Sequence, residues 1–297
     1  MAGSPEKVES HDLGGNLSDR IRNFYDESSS LWEQVWGEHM HHGYYGVDGT
    51  SREKDPRIAQ RILIEKILLW SQLTSAQQIL DVGCGIGGST LYLASKYYAK
   101  ATGITLSPRQ AARATSRAET AGLDSHVGFV VANALAMPFA DNSFDLVWSL
   151  ESAEHIPDKQ QFLAECIRVL RPNGRLIVAT WCHRDQTNDH RPLNAMEIRQ
   201  LYLISRLYHL PSIISPDIYR TLVREMPLKH FKDADWSIAV APFWRDVMRS
   251  MLRPDVAARV GSTGFQTALG ALAVPLMMKG FKDGLIRYYL FTAEKSE

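Results

Sequence analysis

The stretch QILDVGCGIGGSTLYLASKYY, residues 78–98, decides the fold. QILDV is a short apolar run that reads as a buried strand, GCGIGGS as a tight turn, and STLYLASKYY as a helix. Strand, glycine loop and helix in that order form the setting in which such a loop holds a ligand. Glycines at 83, 85 and 87 let the backbone turn sharply and come close to that ligand without Cβ collisions. The spacing is GxGxG rather than GxGxxG, and Asp81 stands just before it. A dinucleotide loop offers a helix N-terminus to a pyrophosphate; an acid at this place suits a cation instead.

The alternation continues outward. KATGITL is a second strand, after which Ser107 and Pro108 cap a helix ending near Gly122. VGFVV (127–131) and FDLVWS (144–149) are further strands, and a helix starts at Asp158 with Phe162, Leu163, Cys166, Val169 and Leu170 on one face. Asn173-Gly174 then turns the chain into the strand RLIVAT. Five strands alternating with helices imply a parallel sheet covered on both faces. After Thr180 the alternation stops, with helical text, two late strands (FKDADWS and IRYYLFTAEK) and another helical insertion between them. The expectation is an α/β, Rossmann-like, mostly parallel seven-stranded sheet under a helical cap. Residues 1–16 read as a flexible tail and 17–297 as one domain. Its core covers about 76–181 plus late strands near 231–237 and 286–294; the cap comes from about 17–75, 182–230 and 241–283. In such sheets ligands gather at the carboxyl ends of the strands.

Composition narrows the partner. The 297 residues are 45% apolar and carry 33 basic and 33 acidic side chains, a net charge of zero. Nothing draws such a chain to phosphate backbones, so nucleic acid is not an expected partner and a small molecule is. Cys84, Cys166 and Cys182 contain no CxxC pair, which fits a reducing compartment and no thiolate zinc site. The first residues have no apolar run and include Glu6, Glu9 and Asp12, unlike a secretory or organellar leader. The apolar run Ala271–Met278 is interrupted by Pro275 and falls short of the ~20 residues that cross a bilayer. The expected location is cytoplasmic, with peripheral contact to an endomembrane such as the vacuolar membrane as the alternative, and a homodimer as a candidate assembly.

S-adenosylmethionine has no phosphate and carries a cationic ammonium that an acid such as Asp81 can meet. With this loop, Asn133-Ala134 after the third strand, MPFADNSFDLVWS, ESAEHIPDK and LRPNGRLIV, the chain resembles the class I S-adenosylmethionine-dependent methyltransferases. FYDESSSLWEQVWGEHMHHGYY, GITLSPRQ, WCHRD, APFW and PLMMKG resemble the plant γ-tocopherol methyltransferase-like group over roughly residues 17–294. Within that group, the start of the chain resembles the branch that N-methylates monoterpene indole alkaloids. The resemblance implies S-adenosyl-L-methionine as cofactor, S-adenosyl-L-homocysteine as product and an alkaloid nitrogen as acceptor; the alternative is carbon methylation of a tocopherol-like phenol. Two departures stand out. The acid that holds the ribose at the end of strand two is replaced by Thr105-Leu106-Ser107, so Thr105, the Leu106 backbone and Gln110 are expected there. That same gap counts against a nicotinamide dehydrogenase, and the intact loop against a non-catalytic binding module. Asn133 stands where an Asp commonly accepts from the adenine amino group.

Methyl transfer is an in-line displacement at an activated carbon, so orientation and exclusion of water supply much of the acceleration. A base is optional: a free amine needs none, whereas carbon methylation of a phenol benefits from forming the phenolate first. Asp81, Gly83, Cys84, Gly85, Gly87, Thr105, Leu106, Gln110, Asn133, Ala134, Tyr25 and Trp36 are the expected cofactor residues. His41, Tyr44, Tyr45, Glu154 and Trp181 are expected to line the acceptor pocket. His155 and His183 follow strands four and five at the ligand edge and are the candidate catalytic histidines. Glu38, His39, His41 and His42 lack an i, i+4 pair with a third ligand, so no metal is expected; hydrogen bonding in the substrate pocket or a structural role is the expectation for them.

Overall fold

The strand β1 (Gln78–Val82) lies parallel between β2 (Lys100–Thr105) and β4 (Phe144–Leu150) in a computed structural model that describes residues 16–51, 55–186, 191–263 and 265–297. β3 (Val127–Val131) extends the sheet beyond β2, and β5 (Leu170–His183) extends it beyond β4. β7 (Ile286–Lys295) runs antiparallel to β5, and β6 (Leu228–Asp235) antiparallel to β7. The order is β3-β2-β1-β4-β5-β7-β6. The chain winds outward in both directions from β1 and β4, which opens a crevice at their carboxyl ends. All but residue 16 of the expected tail lies outside the described residues.

Alternation along the strands builds two cores. Ile79, Leu146, Trp148, Ile177 and Leu290 face one side, with Leu63, Ile64 and Ile67 of α2 (Pro56–Trp70) in the same cluster. Leu80, Val82, Val147, Leu176, Val178 and Phe291 face the other. Their cluster includes Phe162, Leu163 and Cys166, and Tyr219 and Val223 further along the chain. The helices before the sheet are α1 (Leu17–Trp36) and α2; α3 (Gly88–Tyr97), α4 (Pro108–Thr120) and α5 (Lys159–Val169) connect its parallel strands. Ser107 caps α4 by accepting from the Gln110 N–H (2.9 Å), and Asp158 caps α5 in the same way at Gln161 (2.9 Å).

The remaining helices are α6 (Ala195–Leu207), α7 (Pro216–Arg224), α8 (Ser237–Val240), α9 (Phe243–Met251), α10 (Pro254–Thr263) and α11 (Phe265–Lys282). α11 packs on α6, and α1 touches α4, α10 and α11, so chain beginning and chain end share one cap. Two boundaries differ from the sequence reading. β5 begins at Leu170, before the Asn173-Gly174 turn, because Leu170 already pairs with Phe144 across a register shift. β6 begins at Leu228, inside the stretch read as helical, and ends before Trp236. Its single neighbour β7 leaves it half exposed, so its polar text carries no clean alternation.

Candidate active site

The loop after β1 is tied to β2: the N–H groups of Gly83 and Cys84 both donate to the Ile104 carbonyl (2.9 Å each). Gly83, Gly85 and Gly87 have φ of +82°, +53° and +82°, where side chains are disfavoured. They serve different ends. A Cβ at Gly83 would lie 2.2 Å from Ser152 Cβ, and one at Gly87 would lie 2.7 Å from Phe129 Cζ. At Gly85 the nearest atom would be Gln110 Nε2, 3.9 Å away. Gly85 therefore faces the space where a ligand belongs, while its neighbours are glycine for packing.

That space is a cavity at the crevice between β1 and β4. Asp81, Gly83, Cys84 and Gly85 line it from β1 and its loop, Thr105, Leu106 and Gln110 from β2 and α4, and Asn133 and Ala134 from the segment after β3. Tyr25 and His41 from the cap, and Glu151 and His155 from the end of β4, complete the wall. Asp81 is buried and accepts from Thr90 Oγ1 (2.6 Å); burial pushes its carboxyl up to about 7. A cation brought beside it would favour its charged form, so the donor set fits the positively charged end of S-adenosylmethionine. Asn133 Oδ1 already accepts from the Leu135 N–H (2.9 Å), leaving one lone pair and the amide hydrogens for adenine. Thr105 Oγ1 donates to Gln110 Oε1 (2.7 Å), and Gln110 Nε2 donates to Ser29 Oγ (3.0 Å). The Thr105 hydroxyl is thus spent within the loop. The Leu106 backbone and the second Gln110 amide hydrogen are the groups left for a ribose.

Helix α1 is pinned across this cavity at both edges. Ser107 Oγ bonds Asp26 and Gln110 bonds Ser29 on one side, while the Tyr25 hydroxyl and His155 Nε2 share a bond of 2.8 Å on the other. Burial pushes the Tyr25 hydroxyl well up and the His155 imidazole down to about 3. His155 lines this cavity, and its bond to Tyr25 makes it a clasp between roof and floor.

Behind Tyr25 and His155 lies a second chamber, walled by Phe24, Trp32, Trp36, Trp181, Tyr208, Phe243 and Trp244. The two spaces share Tyr25, Met40, Glu151 and His155 on their walls. Glu154 lines the chamber, accepts from Thr180 Oγ1 (2.9 Å) and is pushed by burial up to about 8. Glu151, at the end of β4 with φ +52°, behaves in the opposite way. Burial raises it, but the pairing with His42 outweighs that and holds it below the usual carboxylate range.

Of the expected residues, Trp36, Glu154 and Trp181 line the second chamber, so Trp36 lies there and not on the wall of the cavity at the glycine loop. Gly87 lines neither. Tyr45 is spent on Asp246 Oδ2 (2.7 Å), and Tyr44 packs edge-on against Trp236 (5.3 Å), so both serve the cap. His183 lies away from both spaces: it is buried on β5, with its Nδ1 bonded to the Arg184 carbonyl (2.8 Å). The histidine cluster divides as well. His39 sits against Gly88, His41 Nδ1 donates to the His42 carbonyl (2.8 Å), and His42 turns to Glu151. Glu151 was not singled out, and His42 was weighed only as part of the histidine cluster; the two meet across 109 positions, and only the place of Glu151 at a strand's carboxyl end hinted at the pair.

Residues 80–178 match the family model of a methyltransferase domain. A probable tocopherol O-methyltransferase of Oryza sativa subsp. japonica is 43% identical over 95% of this chain and 79% of its own. The chain belongs to the S-adenosylmethionine-dependent methyltransferases. Ajmaline N-methyltransferase of Rauvolfia serpentina is 32% identical over 93% of this methyltransferase and 97% of its own length. Among solved structures, geranyl diphosphate C-methyltransferase from Streptomyces coelicolor A3(2), holding S-adenosyl-L-homocysteine, shares the fold. Its TM-score is 0.73 at 21% identity, covering 95% of this chain and 98% of that one. The methyltransferase therefore uses S-adenosylmethionine in a class I Rossmann-like fold.

Proposed function

We propose that this methyltransferase transfers a methyl group to a ring carbon of a tocopherol-like phenol. The observation that carries this reading is the 43% identity, over nearly the whole chain, to tocopherol O-methyltransferases of rice and Arabidopsis thaliana; the ajmaline and norajmaline N-methyltransferases stand at 32% and 30%. The chamber's chemistry agrees. Its ionised carboxylate, Glu151, is already bonded by donors of the protein, and Glu154 is largely protonated at neutral pH, so little free negative charge awaits a cationic amine. Aromatic walls suit an apolar ring system. Among the described residues no helix is long and apolar enough to cross a membrane, so a lipid acceptor would reach the chamber from a bilayer surface or a carrier.

When bound, S-adenosylmethionine supplies a methyl carbon made electrophilic by its sulfonium. Asp81 would hold the cationic end, the Asn133 amide the adenine, and Gly85 leaves room for the ligand backbone. Tyr25 and His155 close the roof and keep water from the boundary between the two spaces. The aromatic walls hold the acceptor ring so that its nucleophilic atom approaches to about 3 Å, which is the main contribution such a site makes. Incubation with methyl-labelled S-adenosylmethionine and paired panels of chromanols and indole alkaloids tests the reading. Label on a ring carbon with the phenol hydroxyl still free is the expected product. Label on an alkaloid nitrogen alone would restore the amine acceptor, and label on the phenolic oxygen would overturn carbon as the site.

A further inference from the structure

His42 is fully buried and gripped twice by one carboxylate. Its backbone N–H donates to Glu151 Oε1 (2.7 Å) and its Nδ1 donates to Glu151 Oε2 (2.8 Å). The Tyr288 hydroxyl adds a bond to Oε1 (2.9 Å) and the Trp181 indole one to Oε2 (3.3 Å). Four donors favour an ionised Glu151, and an ionised carboxylate only accepts, which holds a ring proton of His42 on Nδ1; the dyad acts in the form that carries no second ring proton. Nε2 is then a lone pair. It is buried without a hydrogen-bond partner among the described residues, on a residue that lines the aromatic chamber. Leaving such an acceptor unpaired costs stability, and a bound hydroxyl in the chamber would recover it. A carboxylate that fixes the tautomer and steadies the imidazolium is the arrangement that makes a histidine a base for a hydroxyl.

Given a phenolic acceptor, on which this step rests, we propose that Glu151 and His42 form a general-base dyad that takes the acceptor's hydroxyl proton. His42 Nε2 is the catalytic base and Glu151 the positioning residue. The O–H bond breaks and its proton passes to Nε2, while the electron pair moves through the ring to the neighbouring carbon. That carbon takes the methyl group as the C–S bond of the donor breaks, giving a dienone. The ring C–H bond then breaks, its proton leaves to solvent, and the imidazolium returns its own proton to the phenolate oxygen. One proton is released per turnover. The titratable groups around His42 are Glu151 and Tyr288, His41 beside it in sequence, and Glu154 and His155 on the chamber wall.

The wild type, His42→Phe (which keeps a ring within the aromatic cage) and Glu151→Gln are assayed with a short-tailed chromanol from about pH 5 to 9. The wild-type kcat/KM is expected to climb with pH through a one-proton limb. His42→Phe loses about 10²–10⁴-fold in kcat, keeps its KM for S-adenosylmethionine and lacks that limb; added imidazole restores part of the rate. Glu151→Gln shifts the limb and lowers kcat less. A folded His42→Phe with wild-type rate and profile overturns the dyad while leaving the acceptor reading intact. If both variants misfold, a flat wild-type profile overturns it. A wild type that methylates amines and no chromanol overturns the acceptor reading, and the dyad with it.

Discussion

Replacing Gly85 by valine separates space kept for a ligand from space needed by the fold. At φ +53° a β-branched residue is strained by about 1–3 kcal/mol, yet its Cβ would meet nothing nearer than Gln110 Nε2 at 3.9 Å. For a chain of this length each kcal/mol lowers Tm by roughly 2–4 °C, so the variant folds with a melting point depressed by several degrees. Its two methyl groups project into the cavity. Affinity for S-adenosylhomocysteine is expected to fall at least about a hundredfold, or roughly 2.7 kcal/mol. Gly83→Ala is the counterpart: its Cβ would fall 2.2 Å from Ser152 Cβ, at φ +82°. Overpacking and backbone strain together cost about 3–5 kcal/mol there, so the fold suffers first. Chemical denaturation and calorimetric titration of both variants make the comparison. A folded Gly85→Val that binds S-adenosylhomocysteine within threefold of wild type would refute the assignment of that space to the methyl donor.

Asp81 makes cofactor binding proton-linked. Burial raises its folded carboxyl to about 7, above the ~3.9 of an unfolded chain, so the free protein loses stability as pH rises between those values. A bound cation lowers that carboxyl again, so binding S-adenosylmethionine below about pH 7 should release close to one proton, and affinity should grow as pH rises toward 7. Calorimetry in buffers of different ionisation enthalpy reads the proton, and Asp81→Asn should abolish it. Tyr25→Phe removes the bond to His155 and should cost about 1–3 kcal/mol of stability, while speeding S-adenosylhomocysteine release in stopped-flow traces; an unchanged release rate would deny the clasp. His183→Ala should leave methyl transfer and cofactor affinity within twofold of wild type, since His183 lines neither space; a tenfold fall in kcat would return it to the site.

The strand, glycine loop and helix of residues 78–98 were legible because local signals agree there: an apolar strand, glycines at positive φ, and helical spacing. The caps at Ser107 and Asp158 were legible for the same reason, since each acts on an N–H three residues away. What the sequence hid depends on contacts between distant segments. Glu151 adopts a left-handed backbone that no neighbour announces, and His42 reaches it across 109 positions. Trp36 sits at the end of α1, where helical text could not say which space it would wall. Thr105 has the right place for a ribose contact, but its hydroxyl is claimed by Gln110, five residues on. His183 is at the expected edge of the sheet and yet its Nδ1 turns to the Arg184 carbonyl, and it lines neither space.

Hydrogen exchange of the folded chain with and without S-adenosylhomocysteine tests the location of the methyl donor most directly. Slowed exchange confined to residues 81–89, 104–110 and 132–135, with α1 stiffened above them, is the predicted footprint. Protection centred on another part of the sheet, with the glycine loop unchanged, would contradict it.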